Sequence, residues 1–266
     1  IAYLSFFVEE SDEAPVDTEE MVANINRELD DLRNFMEIGE GTIMVSETED
    51  IDWINNWKQF FHQFYIDDLL VIPSWEEVRP EDRDKKILHI DPGTAFGTGM
   101  HETTQLCIRQ LKKHITSETE LLDVGTGSGI LSIISLMYGI RHAVGTDLDP
   151  CAVEAVRENM QANRIAPERF EMMIGNIISD RAVQDRAGYA KYDIVVANIL
   201  ADVLVSLTPV IVNQLKPGGV YITSGIIDNK EQTVCDAVEA AGLEVVEVTR
   251  QGEWVSVTAR RKCGIS

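Results

Sequence analysis

The chain is short of cysteines, of positive charge and of long apolar runs, and each shortage removes a class of function. Its four cysteines (Cys107, Cys151, Cys235 and Cys263) lie far apart and form no C-x-x-C. They suit reduced thiols in a cytoplasmic protein better than a zinc site or a disulfide framework. No apolar run approaches the roughly 18 residues of a membrane-spanning helix, so no membrane association is expected. Lys and Arg number 23 against 45 Asp and Glu, a net charge of −22. Neutralising nucleic-acid phosphates takes clustered basic side chains, so direct nucleic-acid binding is disfavoured. No H-E-x-x-H, Ser-His-Asp or cysteine–histidine grouping is evident, which leaves hydrolase readings without support and predicts no metal. An initiator Met and a signal-peptide layout are also lacking. The chain opens inside Ile1-Ala-Tyr-Leu-Ser-Phe-Phe-Val, so a natural N-terminus upstream of Ile1 is expected.

What is present is enough apolar material, 44% of 266 residues, for one large domain and a small one. The charge is uneven: residues 1–86 hold 23 acidic against 7 basic side chains, a net −16 of the −22. Such a segment is either a solvated surface or an attractor of a basic macromolecule. Its pattern predicts a strand at 1–8, a helix at 18–36 capped by Asp17 with Glu20, and a strand at 42–48. Met21, Ile25, Leu29 and Leu32 repeat at helical spacing. A second helix is expected at 51–63, its aromatic density (Trp53, Trp57, Phe60, Phe61, then Phe64) marking a packing seam. Leu69-Leu-Val-Ile reads as a strand, and 76–86 as a surface loop or linker.

From 87 onward strands and helices alternate. Strands are expected near 87–90, 120–124, 142–147, 170–174, 192–197, 219–225, 243–250 and 254–260. Helices are expected near 101–115, 129–138, 150–163, 201–214 and 228–241, and Lys216-Pro-Gly-Gly as a turn. Alternation of this kind predicts an α/β fold, a parallel sheet with helices on both faces, closed by a C-terminal antiparallel pair.

The densest signal is Leu121-Leu-Asp-Val-Gly-Thr-Gly-Ser-Gly129. An apolar strand ends at Asp123, three glycines follow, and helical sequence begins at Ile130. The next strand delivers Asp147, an acid placed to accept hydrogen bonds from a ribose diol. Strand, glycine turn, helix, strand and acid make a nucleotide-cofactor site. Dinucleotide sites favour G-x-G-x-x-G facing a pyrophosphate, whereas here Gly125, Gly127 and Gly129 alternate and Asp123 precedes them. That carboxylate would repel a pyrophosphate but suits a ligand carrying an ammonium group. S-adenosylmethionine has an amino-acid end and no phosphate, so it is favoured over NAD, with an oxidoreductase as the runner-up.

Three further segments surround this site. Asp91-Pro-Gly-Thr-Ala-Phe-Gly-Thr-Gly-Met-His-Glu-Thr-Thr104 is a hydrogen-bonding loop that runs into a helix. Thr103 or Thr104, with free backbone N–H groups in the first helical turn, could bind a carboxylate. Asn198 follows the strand expected to lie beside the glycine-turn strand. It could hold an amino nucleophile, or simply cap the next helix. Asn176, after the third strand, could meet a base edge or make a turn. His101 and Glu102 read as helix-start residues.

With these segments placed, the chain resembles the ribosomal protein methyltransferase family (PrmA-type), which modifies large-subunit ribosomal protein eleven. The resemblance rests on Asp91-Pro-Gly-x-Ala-Phe-Gly-Thr-Gly-x-His-x-Thr-Thr, Asp123-x-Gly-x-Gly-Ser-Gly-Ile-Leu, Asp147-x-Asp-Pro and Ala197-Asn-Ile-Leu, and covers essentially the whole chain. It implies a Rossmann-like class I methyltransferase with a seven-stranded sheet, parallel but for a C-terminal antiparallel strand, plus an N-terminal α+β module. The corresponding domains would be 1–48 (part of the substrate-recognition module), 49–86 (helical linker and connecting strand and loop) and 87–266 (catalytic). Thr104, Gly125, Asp147 and Asn198 would contact S-adenosylmethionine, with Asp123, Gly127 and Asn176 completing the expected cofactor set. Phe96, Thr98 and Gly99 are candidates for closing the loop over a lysine beside Asn198. The implied substrate is a basic ribosomal protein methylated on lysines and an N-terminal amine, in the cytoplasm, by a monomer. A class I methyltransferase acting on a small molecule or nucleic acid, and a non-catalytic binding module, are the alternatives.

Overall fold

The computed structural model describes residues 18–33, 39, 41–45, 62–91 and 99–263, and the chain divides into two compact units, 1–56 and 57–266. In the first unit, helix α1 (Thr18–Arg33) keeps Met21, Val22, Ile25 and Leu29 half-buried while residues 23, 24 and 26–28 are exposed. Three positions of the expected helical stripe, Met21, Ile25 and Leu29, are therefore on one half-buried face, and the side chain of Leu32 lies outside the described residues. The described part of the strand expected at 42–48 does not form: residues 41–45 take no strand conformation, Met44 and Val45 are largely exposed, and residues 46–48 lie outside the described residues. A strand exists through its ladder, and among the described residues this unit contains no second strand to pair with. The strand expected at 1–8, the Asp17 cap and nearly all of the helix expected at 51–63 lie outside the described residues.

The second unit begins with a three-stranded sheet, β1 (Phe64–Ile66), β2 (Leu69–Ile72) and β3 (Lys86–His89), in the order β1-β2-β3. Phe64, expected with the preceding helix, instead opens a strand. Asp67 takes φ 55°, and Asp67-Asp68 form the two-residue hairpin loop that pairs β1 with β2. The 76–86 segment is pinned to this sheet. The buried Asp82 accepts a 2.6 Å hydrogen bond from Tyr65 Oη and pairs with Lys85 at 2.9 Å. The strand expected at 87–90 forms as β3 but belongs to this small sheet and not to the large one.

The large sheet contains β4 (Glu120–Val124), β5 (His142–Asp147), β6 (Phe170–Ile174), β7 (Tyr192–Asn198), β8 (Leu215–Ile227), β9 (Leu243–Gln251) and β10 (Trp254–Arg261). Their order is β6-β5-β4-β7-β8-β10-β9. β4 to β8 run parallel, and β10 lies antiparallel between β8 and β9. Helices α2 (Glu102–His114), α3 (Ile130–Met137) and α4 (Cys151–Ala162) pack on one face, and α5 (Arg181–Ala187), α6 (Ala201–Ile211) and α7 (Glu231–Ala240) on the other. The strand period of two sorts the core: Leu121, Ile194, Val196 and Ile222 join the first layer, and Leu122, Val195, Ala197 and Tyr221 the second. The α/β architecture expected from the sequence is the one observed.

Two details differ. α5 was not expected; it buries only Val183 and Ala187, too short a pattern to stand out, and starts where the Asp180 carboxylate caps the Ala182 N–H at 2.8 Å. Lys216-Pro-Gly-Gly is a bulge inside β8 and not a turn before it, spanning the break between the ladder pairs Tyr192↔Leu215 and Ile194↔Val220. Among the described residues no helix is long and apolar enough to cross a membrane. The chain leaves β4 toward β5 and leaves the adjacent β7 toward β8, in opposite directions, so the carboxyl ends of β4 and β7 flank the crevice where open α/β sheets bind ligands.

Candidate cofactor and active site

The glycine turn closes this crevice from below. Gly125 takes φ 73°, and a Cβ there would lie 2.4 Å from Ile199 Cγ2, so only glycine lets the segment after β7 pack on the turn. The turn is laced to the end of β5: the Gly125 and Thr126 N–H groups donate to Thr146 O at 2.8 and 3.2 Å, and Thr126 Oγ1 donates to Asp123 O at 3.0 Å. Asp147, half-buried at the end of β5, accepts the Gly127 N–H at 2.7 Å on one oxygen and the Asp149 N–H at 3.0 Å on the other. It therefore ties the glycine turn to the second strand. A carboxylate has about four acceptor positions, which leaves capacity for a diol.

Asp123 is 1% exposed, and its Oδ2 accepts the Ser132 hydroxyl at 2.8 Å from the first turn of α3. Burial pushes its carboxyl up to about 7; the nearby Asp147 adds to that rise, and the Ser132 hydrogen bonds oppose it. Cys107 faces the same spot from α2, its thiol driven well above the usual range by burial and held neutral. Among the described side chains, nothing cationic balances Asp123.

On the other side of the crevice, Asn198 Nδ2 donates to Thr104 Oγ1 at 3.2 Å, joining two expected site residues from α2 and the end of β7. The helix-cap alternative for Asn198 does not hold, because α6 is capped at Leu200 without a side-chain bond. The expectation of free N–H groups at the start of α2 is corrected. His101 caps that helix, its Nδ1 accepting the Thr103 N–H at 3.3 Å, and the Thr104 N–H donates to His101 O at 3.1 Å. Trp254 meets the His101 ring edge-on at 4.8 Å and helps hold the cap in place.

Asn176 is exposed and makes a turn, its Oδ1 accepting the Ile178 N–H at 3.0 Å. Gly99 lies where a Cβ would come within 2.7 Å of Ile130 Cδ1, against the start of α3. Phe96 and Thr98 lie outside the described residues. Two contributors escaped sequence reasoning. One is Ser132, a hydroxyl inside the apolar run Ile130-Leu-Ser-Ile-Ile. The other is Asn159, 4% exposed, whose Nδ2 donates to Ser128 O at 2.9 Å and fastens the glycine turn to α4. A polar side chain inside an otherwise apolar helical stripe is the signal that could have marked each.

The residues fit S-adenosylmethionine. A buried acid without a cation suits an ammonium group, a strand-end acid suits a diol, and the glycine turn presents no side chain to either. Among the described residues no group of three or more His, Cys, Asp or Glu is placed to hold a metal ion.

Residues 5–262 match the family model described as ribosomal protein L11 methyltransferase (PrmA). The ribosomal protein L11 methyltransferase of Agathobacter rectalis is 52% identical over 264 residues, 98% of this chain and 81% of that protein. The one from Lachnospira eligens is 54% identical over 252 residues, 93% of this chain and 79% of that protein. The crystal structure of ribosomal protein L11 methylase from Lactobacillus delbrueckii subsp. bulgaricus is similar with a TM-score of 0.68 at 30% identity, covering 76% of this chain and 100% of that one. The chain belongs to the ribosomal protein L11 methyltransferase (PrmA) family.

Proposed function

We propose that the chain methylates lysine side chains and an N-terminal amine of ribosomal protein L11, using S-adenosylmethionine. The observation that carries this reading is the meeting of Asp123, Asp147 and the Thr104–Asn198 pair around one glycine turn. Residues 1–48 are assigned to substrate recognition, 49–86 to the connection and 87–266 to the chemistry. The acidic surplus of residues 1–86 attracts a basic protein and repels nucleic acid. The protein acts in the cytoplasm as a monomer.

When bound, the cofactor supplies a methyl group activated by a sulfonium. The chain's own residues do the rest by position. Asp147 accepts the ribose hydroxyls, Asp123 faces the ammonium and Asn176 meets the base edge. With Asn198 Nδ2 committed to Thr104, its Oδ1 is left to accept from the incoming amine. A lysine must lose its proton first; exclusion of water from the site, assigned to Phe96, Thr98 and Gly99 closing over the lysine, lowers its pKa from the reference of about 10.4. No side chain is assigned as a general base. Alignment of nucleophile and methyl carbon is worth several kcal/mol.

Incubation with labelled S-adenosylmethionine and purified ribosomal proteins is expected to label L11. Label confined to another protein, to RNA or to a small molecule overturns the substrate. Calorimetry is expected to show binding of S-adenosylmethionine and none of NAD; the reverse result removes the cofactor assignment. Asn198→Ala is expected to slow single-turnover methylation at least tenfold at saturating cofactor, because alignment is lost, while one neutral hydrogen bond costs the cofactor only about 0.5–1.5 kcal/mol. A saturated rate equal to wild type leaves Asn198 as a cofactor contact alone.

A further inference from the structure

We propose that Ser132 is a positioning residue for cofactor recognition: its hydroxyl favours the ionised form of Asp123 that an ammonium ligand requires. The inference rests on the S-adenosylmethionine reading above. Ser132 and Asp123 are 0% and 1% exposed, and their 2.8 Å hydrogen bond joins the strand before the glycine turn to the helix after it. The Ser132 backbone N–H also favours the anion and is kept in an alanine variant, while the remaining groups near the carboxyl disfavour its charge or leave it alone. Asp147 on β5 carries the same charge, and Cys107 on α2 is a neutral thiol with its own partner in Ser224. Ser132 is thus the group on the protein side that favours the anion, against a burial that disfavours it.

The consequence is a cofactor site whose affinity follows the protonation of one buried acid. Asp123 binds a proton in the unliganded protein up to about pH 7. A ligand that brings an ammonium must displace that proton. Cofactor affinity then rises through pH 6 to 7.5 by somewhat under tenfold, within the limit of tenfold per pH unit for one proton released. Without the hydroxyl the carboxyl titrates higher, and the same rise moves up in pH. The affinity gap between wild type and Ser132→Ala is therefore wide at low pH and closes once both carboxyls are ionised. The amine of the ligand titrates identically for both proteins, so it cancels from the ratio.

The test is calorimetry with S-adenosylhomocysteine, which carries the same amine, from pH 6 to 8.5 on both proteins, with the Asp123 carboxyl followed by NMR in the unliganded state. If Ser132→Ala raises the Asp123 midpoint by about one unit, its affinity falls roughly tenfold at pH 6 and stays within about twofold of wild type at pH 8.5. A loss of equal size at both pH values, or no loss, overturns the role of Ser132. A wild-type affinity flat between pH 6 and 7.5 overturns the proton coupling. Wild-type protein that binds at no pH refutes the cofactor reading instead. Should the alanine variant fold poorly, Ser132→Cys keeps the volume with a weaker donor and is expected to shift the profile the same way by less; an unshifted profile there counts against the proposal.

Discussion

Asp123→Asn is expected to gain stability relative to wild type, in the absence of cofactor, as the pH rises from 5.5 to 8. The wild-type carboxyl is raised from its ordinary value of 3.8 to about 7 by burial. An acid with a raised folded pKa contributes stability that is complete below its unfolded pKa and is lost as pH climbs to the folded one. The loss across that whole interval is on the order of 4 kcal/mol at 1.36 kcal/mol per unit, of which about 2 kcal/mol falls between pH 5.5 and 8. The window stops at 5.5 because the sequence pI is about 4.5 and charge repulsion between molecules fades there. Asparagine cannot ionise, so it escapes the loss. Its unpaired amide hydrogens cost the same at every pH and displace the curve without bending it. Urea midpoints of both proteins at the two pH values measure the effect. A difference that does not change with pH would show that Asp123 ionises normally in the fold.

Asp147→Ala is expected to weaken cofactor binding by about 1–3 kcal/mol, the range for hydrogen bonds to a charged acceptor. The upper half of that range is expected, because the carboxylate has two tasks. It faces the crevice as an acceptor for the ribose, and it already holds the Gly127 N–H at 2.7 Å. Alanine removes the acceptor and frees the turn that the ligand must lie against. Melting should stay close to native, since Asp147 is half-buried at a strand end and outside both apolar clusters. Asp147→Asn keeps one carbonyl acceptor but loses the charge, and should fall between the two. An unchanged dissociation constant with native-like melting would remove the ribose role.

The parts of the site that were legible in the sequence are those whose function forces a residue type at a fixed spacing. A glycine turn that admits Ile199 where a Cβ would stand needs Gly125, and the second strand needs its acid at its carboxyl end, at Asp147. Asn198 was visible because a polar residue ending an apolar strand has few other uses. What stayed hidden depends on which partner a side chain finds. Ser132 looks like a neutral helix residue until the fold sets it 2.8 Å from Asp123. The N–H groups of Thr103 and Thr104 looked available until His101 claimed both. The β1–β2 hairpin was missed because its loop is Asp67-Asp68, without the glycine or asparagine that usually marks such turns, and Phe64 continued an aromatic run that read as helix.

The place of β10, between β8 and β9, sets the order in which the sheet can be finished during synthesis. β9 leaves the ribosome before β10, yet among the described residues its only neighbour in the sheet is β10. Until residues 254–261 have emerged, β8 is an open edge and β9 has nothing to pair with. The nascent chain therefore holds a sheet of five parallel strands whose β8 side is still unpaired, and β10 covers that side by entering between β8 and β9. Ribosome-stalled or prematurely terminated chains ending before Trp254 are for this reason the species in which edge-to-edge association is expected.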